Sequence, residues 1–188
     1  MARKKEYIEE EVIEKAMHLF WRNGYSDTSV RMLEKEMGIN QFSIYSSFGS
    51  KQGLFLECLK CYKVKASQMF IKLKNATNGV EAIKDFFYDS LRISEELGNH
   101  NGCFVTNTYN EFAEKEDEII KGQMLAFMDQ IKALFIEKLK MNASHKDEET
   151  IVKQANYLLL AKHGLAAASR VNTEKEINDF IEMTFKGL

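Results

Sequence analysis

The 188-residue sequence contains no proline, one tryptophan and only three cysteines. Because proline interrupts helix interiors, its absence, together with abundant Glu, Lys and Leu, favours long helices and little strand. An odd number of cysteines cannot all pair within one chain, which fits a reducing compartment. No apolar run approaches the roughly eighteen residues that a membrane span needs, and the first residues lead into acidic sequence rather than an apolar signal segment. We therefore expect a cytoplasmic protein without membrane contact.

The sequence also lacks a strong excess of either charge. Its 26 basic and 28 acidic residues give a formal net charge of -2, which excludes a broadly basic nucleic-acid coat but leaves room for a local patch. Hydrophobic residues form 45% of the chain, enough to bury a core, so wholesale disorder is excluded. The length fits one domain, or a small domain joined to a larger one.

Helical periodicity runs through almost the whole sequence and predicts an all-α protein. The longer apolar patterns predict helices over residues 7–23, 50–73, 80–91, 103–113, 119–139, 148–169 and 173–185. Gly24 stands where the first of them should end. The segment 98–102 is the least helical in the chain and predicts a loop. Thr173 and Glu176 form the pattern of a capping box for the last helix.

Two short helices are predicted between the first two long patterns. Asp27 and Thr28 can cap the first short helix, and Asn40 can cap the second, which covers residues 41–48. Two short helices joined by a glycine turn form a helix-turn-helix arrangement. Small polar residues on the second helix face away from its apolar anchors and can approach base edges and phosphates in a major groove.

Residues between 8 and 56 resemble the amino-terminal domain of TetR-family transcriptional repressors. The matching segments are Ile13 to Phe20, Asn23-Gly24-Tyr25, Thr28-Ser29-Val30, Met37-Gly38-Ile39, Ile44-Tyr45, Phe48 and Lys51. The resemblance implies an all-helical homodimer with a helix-turn-helix DNA-binding domain at 1–50 and a ligand-binding and dimerisation domain at 51–188. It also implies a repressor that binds a palindromic double-stranded DNA operator. A small ligand would release the repressor from the operator by changing the spacing of its two DNA-binding domains.

Carried over by position, the resemblance implies a set of DNA contacts, with phosphate contacts at the starts of the second and fourth helices and groove contacts from the third. The set comprises Thr28, Arg31, Gln41, Phe42, Ser43, Tyr45, Ser46, Ser47 and Lys51. Phe42 stands where the family commonly has glycine or alanine, and Ser46-Ser47 where it often has a basic or His residue. These departures leave the operator sequence open, while the docking mode is expected to be that of the family.

Aromatic and sulfur-containing residues in the middle of the chain predict a ligand cavity between the fourth and seventh predicted helices. The candidates are Phe70, Phe87, Cys103, Phe104, Tyr109, Met124 and Phe127. Few ionisable residues share these faces, so a largely apolar or aromatic small molecule is expected. The alternative is that most of these residues simply form the core.

Cys103 follows the 98–102 loop near a helix start, where the helix dipole can lower the pKa of a thiol. The segment 102–107 also resembles one in TetR-family members that sense electrophiles or oxidants. The alternative for Cys103 is a cysteine that only fills core space.

The last two predicted helices carry more apolar surface than one core face requires. The excess predicts a homodimer in which these helices form a four-helix packing across a two-fold axis. The expected interface residues are Ile151, Ala155, Leu158, Leu159, Leu165, Ile177, Phe180 and Ile181.

Catalytic and metal-binding patterns have no support in the sequence. There is no Ser-His-Asp order, phosphate-binding loop or carboxylate pair. Cys58 and Cys61 share a helix face without a second cysteine pair, so they are expected to be buried small hydrophobes rather than zinc ligands. We expect no enzyme, no metal and no cofactor.

The alternative to a repressor is a helical ligand-binding or interaction protein with a degenerate DNA-binding head. Residues 1–53 hold eight basic and eight acidic side chains, and a unit with this balance of charge has little net attraction to phosphates.

Overall fold

The computed structural model describes residues 7–97, 101–141 and 147–188. All regular structure within these ranges is helical, which confirms the predicted all-α fold. The helices are α1 Glu9–Asp27, α2 Val30–Met37, α3 Gln41–Phe48, α4 Lys51–Lys65, α5 Ser67–Asn75, α6 Val80–Glu96, α7 Phe104–Glu111, α8 Glu118–Met141, α9 Glu148–Ala168 and α10 Glu174–Phe185. None of these described helices is both long enough and apolar enough to cross a lipid bilayer.

The chain divides into two compact units, residues 1–65 and 66–188. The first unit contains α1 to α4, and the second contains α5 to α10. The long helix α4 packs against α1 and α3, so it belongs structurally with the helix-turn-helix.

The amino-terminal unit has an aromatic core between α1 and α4. The ring of Phe55 meets that of Phe20 edge to face at 4.9 Å between centroids, and Tyr62 meets Trp21 in the same way at 5.3 Å. Such pairs add to the stabilisation from buried area. Each short helix contributes fully buried aliphatic side chains, with Leu33 and Met37 on α2 and Ile44 on α3.

Helix boundaries follow the sequence in most places. Gly24 has a positive φ of 83°, which interrupts α1 where its end is predicted, and a further turn extends to Asp27. The capping box of Thr173 and Glu176 is present at the start of α10. The predicted loop lies partly outside the described residues, at 98–100.

One predicted helix is divided into two in the structure. The pattern over 50–73 predicts a single helix, whereas the structure interrupts it at Ala66, between α4 and α5. Apolar residues keep their helical spacing on both sides of Ala66, and neither glycine nor proline marks the break. Periodicity alone therefore could not show it.

The carboxy-terminal unit has its own aromatic core, formed by α6, α8 and α10. Phe87 packs against Phe135 at 6.2 Å and meets Phe185 edge to face at 5.0 Å, measured between ring centroids. Gly102 lies against α9 with a φ of 70°, and a Cβ atom at this position would collide with the carbonyl oxygen of Ala166. Its own carbonyl accepts a hydrogen bond from the Ser94 hydroxyl at 3.1 Å.

The fully buried Lys138 of α8 satisfies the carboxyl end of α5. Its ammonium donates to the carbonyl oxygens of Lys74 at 2.8 Å and Ala76 at 2.9 Å, and to the Glu137 carboxylate at 2.9 Å. The last carbonyls of a helix lack partners within the helix, so a donor from elsewhere is needed when they are buried. The apolar stem of Lys138 packs in the core while its charge is used at the helix end.

Replacing Lys138 with Met keeps most of the stem but removes these hydrogen bonds. We expect the free energy of unfolding to fall by about 1–3 kcal/mol, because two carbonyl oxygens at the end of α5 lose the buried ammonium that donates to them. Lys140→Met is the matched control, since Lys140 is exposed and its pair with Glu148 lies in solvent, where such pairs contribute at most about 1 kcal/mol. Urea unfolding followed by circular dichroism measures both. Equal stability of the two variants would contradict this role of Lys138.

Candidate functional site

The helix-turn-helix is held by local caps at each of its ends. The Ser29 hydroxyl accepts the N–H of Met32 at the start of α2, at 3.2 Å. Gly38 ends α2 with a left-handed backbone, φ 71°, and the Asn40 side chain caps α3 by accepting the N–H of Ser43 at 2.8 Å. The prediction for Asn40 is confirmed, whereas the α2 cap is Ser29 rather than Asp27 or Thr28.

Thr28 lies in the protein interior rather than on the surface expected to face DNA. Its side chain is fully buried, and its hydroxyl donates to the carbonyl oxygen of Gly24 at 2.6 Å. Because this hydroxyl is used inside the protein, the phosphate contact expected from the Thr28 side chain is not available in this structure. The exposed Ser29 stands next to it at the start of α2.

α3 presents one exposed face and one buried anchor. Gln41, Phe42, Tyr45 and Ser46 are exposed at positions that share one side of a helix, while Ile44 is fully buried. Phe42 is the extreme case, with 81% of its surface exposed. The expected groove residues therefore lie together, and they carry hydrogen-bonding groups beside an aromatic ring.

The two remaining candidates on α3 are less open. Ser43 is half-buried, and its backbone N–H is used by the cap from Asn40. The Ser47 hydroxyl lies 2.6 Å from the Tyr7 hydroxyl, so it joins α3 to the segment before α1 rather than standing free.

Positive charge near the helix-turn-helix comes mainly from α2. Arg31 and Lys35 are exposed and lie one turn apart, and neither forms an ion pair within the described residues. Lys35 is absent from the DNA contacts expected from the sequence, although its position four residues after Arg31 places it on the same face of α2. Lys51 is half-buried, with its ammonium 4.4 Å from the ring centroid of Tyr25.

α3 is tied closely to both of its neighbouring helices. The carboxylate of Glu34 on α2 accepts the N–H of Gln41 at 2.6 Å. At the other end, the Ser50 hydroxyl caps α4 by accepting the N–H of Gly53 at 3.0 Å. A Cβ atom on Gly53 would collide with the carbonyl oxygen of Phe48, so the carboxyl end of α3 requires glycine at this position of α4.

Most of the expected ligand-binding aromatics are core residues. The half-buried Phe70 packs edge to face against Phe86 and Phe127, each at 5.3 Å. Phe87 and Phe104 are buried. None of the expected Phe70, Phe87, Phe104 and Phe127 lines the open cleft of this unit, because their rings fill the space between helices.

A half-open cleft of about 200 Å³ lies instead between α7 and α8. Its lining is mainly apolar and consists of Tyr109, Phe112, Ala113, Lys121, Met124 and Leu125. Two of the expected ligand residues, Tyr109 and Met124, are therefore brought together. Lys121 is the charged member that the sequence reasoning missed.

Tyr109 connects this cleft to α9. Its ring centroid lies 5.6 Å from that of His163, and the His163 Nε2 atom lies 3.0 Å from the sulfur of Met128. Burial, followed by the nearby charge of Lys162, lowers the pKa of the His163 imidazole and so favours its neutral form. An occupant that moved Tyr109 would therefore act directly on α9.

The three cysteines occupy different environments. Cys103 is half-buried at the N-cap position of α7 and does not line the cleft. Burial raises the pKa of the Cys58 thiol well above its ordinary value, and burial also raises that of Cys61. Both thiols are therefore poor nucleophiles. Within the described ranges no group of three or more His, Cys, Asp and Glu side chains could hold a metal ion.

The expected dimer residues are divided between core and surface. Ile151, Ala155, Leu158, Leu165, Ile177 and Ile181 are buried within the chain itself. Leu159 is half-buried, and only Phe180 is exposed. The six buried positions cannot supply a partner surface, because α9 and α10 use that face for the protomer's own core. This corrects the expected interface.

A second apolar face of α9 and α10 is exposed. It carries Tyr157, Leu160 and Ala167 on α9, Val171 just after it, and Phe180 and Met183 on α10. Leu160 is 68% exposed and Val171 is 85% exposed. The α9 positions recur every three or four residues, with Gly164 between them, so they form one stripe. We refer to these exposed residues as the α9/α10 stripe.

Residues 12–58 match the family model of bacterial regulatory proteins, tetR family. The match covers most of α1, all of α2 and α3, and the first half of α4. The amino-terminal region of the chain therefore has the sequence pattern of tetR-family regulators.

Similar proteins agree with this match. The chain is 28% identical over 122 residues to the HTH-type transcriptional regulator YezE of Bacillus subtilis (strain 168). The aligned region covers 64% of this chain and 63% of that protein. The chain is 27% identical over 122 residues to the HTH-type transcriptional repressor ComR of Escherichia coli (strain K12), covering 62% and 57% respectively. The chain therefore matches less than two thirds of the length of each relative.

The fold of the whole chain is also found among solved TetR-family structures. A cysteine mutant of the TetR-family transcriptional regulator CifR, complexed with 26-base-pair double-strand operator DNA, superposes with a TM-score of 0.85 at 22% identity. The superposition covers 98% of this chain and 99% of that one. The carboxy-terminal unit thus has the TetR-family fold although the family model matches only the amino-terminal region.

Replacing Gly53 with Ala should destabilise the amino-terminal unit. The collision with the Phe48 carbonyl must displace backbone, which typically costs about 1–3 kcal/mol and outweighs the gain of up to about 1 kcal/mol from better helix propensity. Trp21, the only tryptophan in the sequence, lies in this unit, so its fluorescence during urea unfolding measures the change.

Gly122→Ala is the matched control. Gly122 lies within α8, and a Cβ atom there meets nothing within 4 Å. This variant should therefore gain roughly 0.5–1 kcal/mol, measured by circular dichroism. A Gly53→Ala protein as stable as the wild type would refute the close seating of α3 on α4.

Proposed function

We propose that this chain is a transcriptional regulator that binds double-stranded operator DNA as a homodimer through the exposed face of α3. The observation that carries the proposal is the grouping of Gln41, Phe42, Tyr45 and Ser46 on one open face of a helix anchored by the buried Ile44. A recognition helix in a helix-turn-helix enters the major groove with this geometry. The structural similarity to a regulator solved on its operator supports the same docking mode.

The side chains on this face favour particular bases. A Gln side chain can form two hydrogen bonds to adenine, and an apolar ring can contact the methyl group of thymine. Gln41 and Phe42 stand first on α3, the end of a recognition helix that usually contacts base edges. We therefore infer that each operator half-site contains an A·T pair read by Gln41 or Phe42.

Phosphate contacts are assigned to the exposed cations of α2. Arg31 and Lys35 have no ion pair within the described part of the chain, and they lie next to α3 in the packed helix-turn-helix. Lys51 supplies a further positive charge at the start of α4. A few local cations are sufficient for positioning on the backbone even where the unit as a whole is balanced in charge.

We further propose repression that is relieved by a small molecule bound in the α7/α8 cleft. The relative named as a transcriptional repressor supports the sign of the regulation. The contact of Tyr109 with His163 gives an occupant of the cleft a direct route to α9. A ligand changes DNA affinity only if it binds the two states differently, and movement of Tyr109 would provide that difference.

The homodimer is proposed to form through the α9/α10 stripe. Leu160, Val171 and Met183 are large and exposed, and they lie on or just after two helices that pack against each other. Exposed apolar side chains that recur on one helix face are typical of an association surface. The two-fold symmetry of such a dimer would present two copies of α3 to a palindromic operator.

The first test combines Phe42→Ala with deoxyuridine. An operator is selected from random duplex DNA by the wild-type protein, and each thymine of its half-sites is then replaced by deoxyuridine, which lacks only the methyl group. The wild type should lose affinity about fourfold at one thymine per half-site, because one buried methyl group contributes about 0.8 kcal/mol. Phe42→Ala should be indifferent to the same replacement. Fluorescence anisotropy measures the affinities.

The outcomes of this test are distinct. Failure to select any duplex would favour the alternative of a degenerate DNA-binding head. Selection followed by equal thymine sensitivity in wild type and Phe42→Ala would show that Phe42 does not contact thymine. Because Phe42 is 81% exposed, its replacement should leave the folding stability unchanged.

The second test introduces charge on the stripe. Leu160→Glu combined with Val171→Glu should convert a dimer of about twice the 21.7 kDa chain mass into a monomer, since burying unpaired carboxylates is costly. Ile119→Glu is the control, because Ile119 is also a large, exposed apolar residue but lies outside the stripe. Light scattering after size exclusion gives the masses. A wild-type monomer at micromolar concentration, or a double variant that remains dimeric, would contradict the proposal.

A further inference from the structure

The cleft between α7 and α8 combines apolar walls with one charged side chain. Phe112, Met124 and Leu125 supply apolar surface, and Tyr109 and Lys121 supply polar groups. At about 200 Å³ it is smaller than typical sites for drug-sized molecules. Its size therefore fits a molecule of one or two rings.

Lys121 has no carboxylate partner within the described ranges. The neighbouring lysine on the chain, Lys115, pairs instead with Glu111 at 2.6 Å and lies 4.5 Å from the Phe112 ring centroid. Lys121 is half-buried, and its backbone N–H bonds to the Asp117 carbonyl at 3.0 Å. Its ammonium therefore remains available to a molecule that enters the cleft.

The Tyr109 hydroxyl is the second available group. It has no hydrogen-bond partner in the described part of the chain, whereas the ring of Tyr109 is held near that of His163. A phenol donates readily to an anionic oxygen, and hydrogen bonds to charged acceptors are stronger than neutral ones. The cleft lining thus contains a cation, the Lys121 ammonium, and a neutral hydrogen-bond donor, the Tyr109 hydroxyl.

We propose that the cleft binds small aromatic molecules that carry a carboxylate. The ring packs against Phe112, Met124 and Leu125, and the carboxylate accepts hydrogen bonds from Lys121 and Tyr109. A neutral aromatic molecule would leave the Lys121 ammonium beside apolar surface without compensation, and a cationic one would be repelled. The inference rests on the proposed ligand response for its biological meaning, whereas the binding itself is tested without DNA.

The experiment compares two probes of the same shape by isothermal titration calorimetry. The charged probe is 2-naphthoate, and the neutral probe is 2-naphthalenemethanol. The wild type should bind the carboxylate at least about tenfold more tightly than the alcohol, because charge-assisted hydrogen bonds favour it. Lys121→Met should abolish this preference, with weaker binding of the carboxylate and no loss of affinity for the alcohol, and Lys121→Arg should retain the preference.

Lys132→Met is the matched control. Lys132 is also half-buried on α8 and forms no ion pair within the described residues, but it does not line the cleft. This variant should keep the full preference for 2-naphthoate. A loss of preference in Lys132→Met as large as in Lys121→Met would show a general charge effect and overturn the site.

Two other results would overturn the proposal. One is equal affinity of the wild type for both probes, and the other is absence of binding of either probe at millimolar concentration. The operator measurements distinguish this failure from failure of the proposed function. A protein that binds selected DNA but shows no charge preference refutes only the ligand class, whereas a charge preference without any DNA binding refutes only the regulator.

Discussion

The close approach of α3 to α4 is the constraint on which the candidate DNA surface depends. The carbonyl oxygen of Phe48 occupies the space that a side chain at position 53 would need, and Ile44 is buried on the inner side of α3. The bond from the Gln41 N–H to Glu34 holds the other end against α2. With both ends and the inner face held, the exposed face of α3 has a defined orientation, which is the property that reading base edges requires.

In the carboxy-terminal unit, single side chains have two roles. Lys138 fills core space with its stem while its ammonium completes the end of α5. Tyr109 lines the α7/α8 cleft while its ring contacts His163 on α9. α9 in turn buries one apolar face in the protomer and exposes another. In our proposal, ligand binding and dimerisation therefore meet on adjacent faces of this helix.

Local chemistry could be predicted from the sequence where it is set by a few neighbouring residues. The break at Gly24, the cap by Asn40 and the capping box of Thr173 are all present. The all-helical fold and the grouping of polar residues on α3 were likewise accessible, because periodicity and turn residues determine them.

Features set by tertiary packing could not be predicted in this way. α9 is apolar around much of its circumference, so the sequence could not show that Ile151 and Leu158 belong to the core while Leu160 is exposed. The buried hydroxyl of Thr28, the break at Ala66 and the position of Lys121 in the cleft depend on contacts with distant segments or on packing that leaves no local signal.

Amide hydrogen exchange on the free and operator-bound protein tests the central claim most directly. Backbone and side-chain contacts to DNA slow the local opening that exchange requires. The account predicts that operator slows exchange most strongly in peptides covering residues 29–35 and 41–48, with little change in the cleft region at 118–125. Binding of operator with unchanged exchange in α3, or with protection confined to residues 66–188, would contradict it.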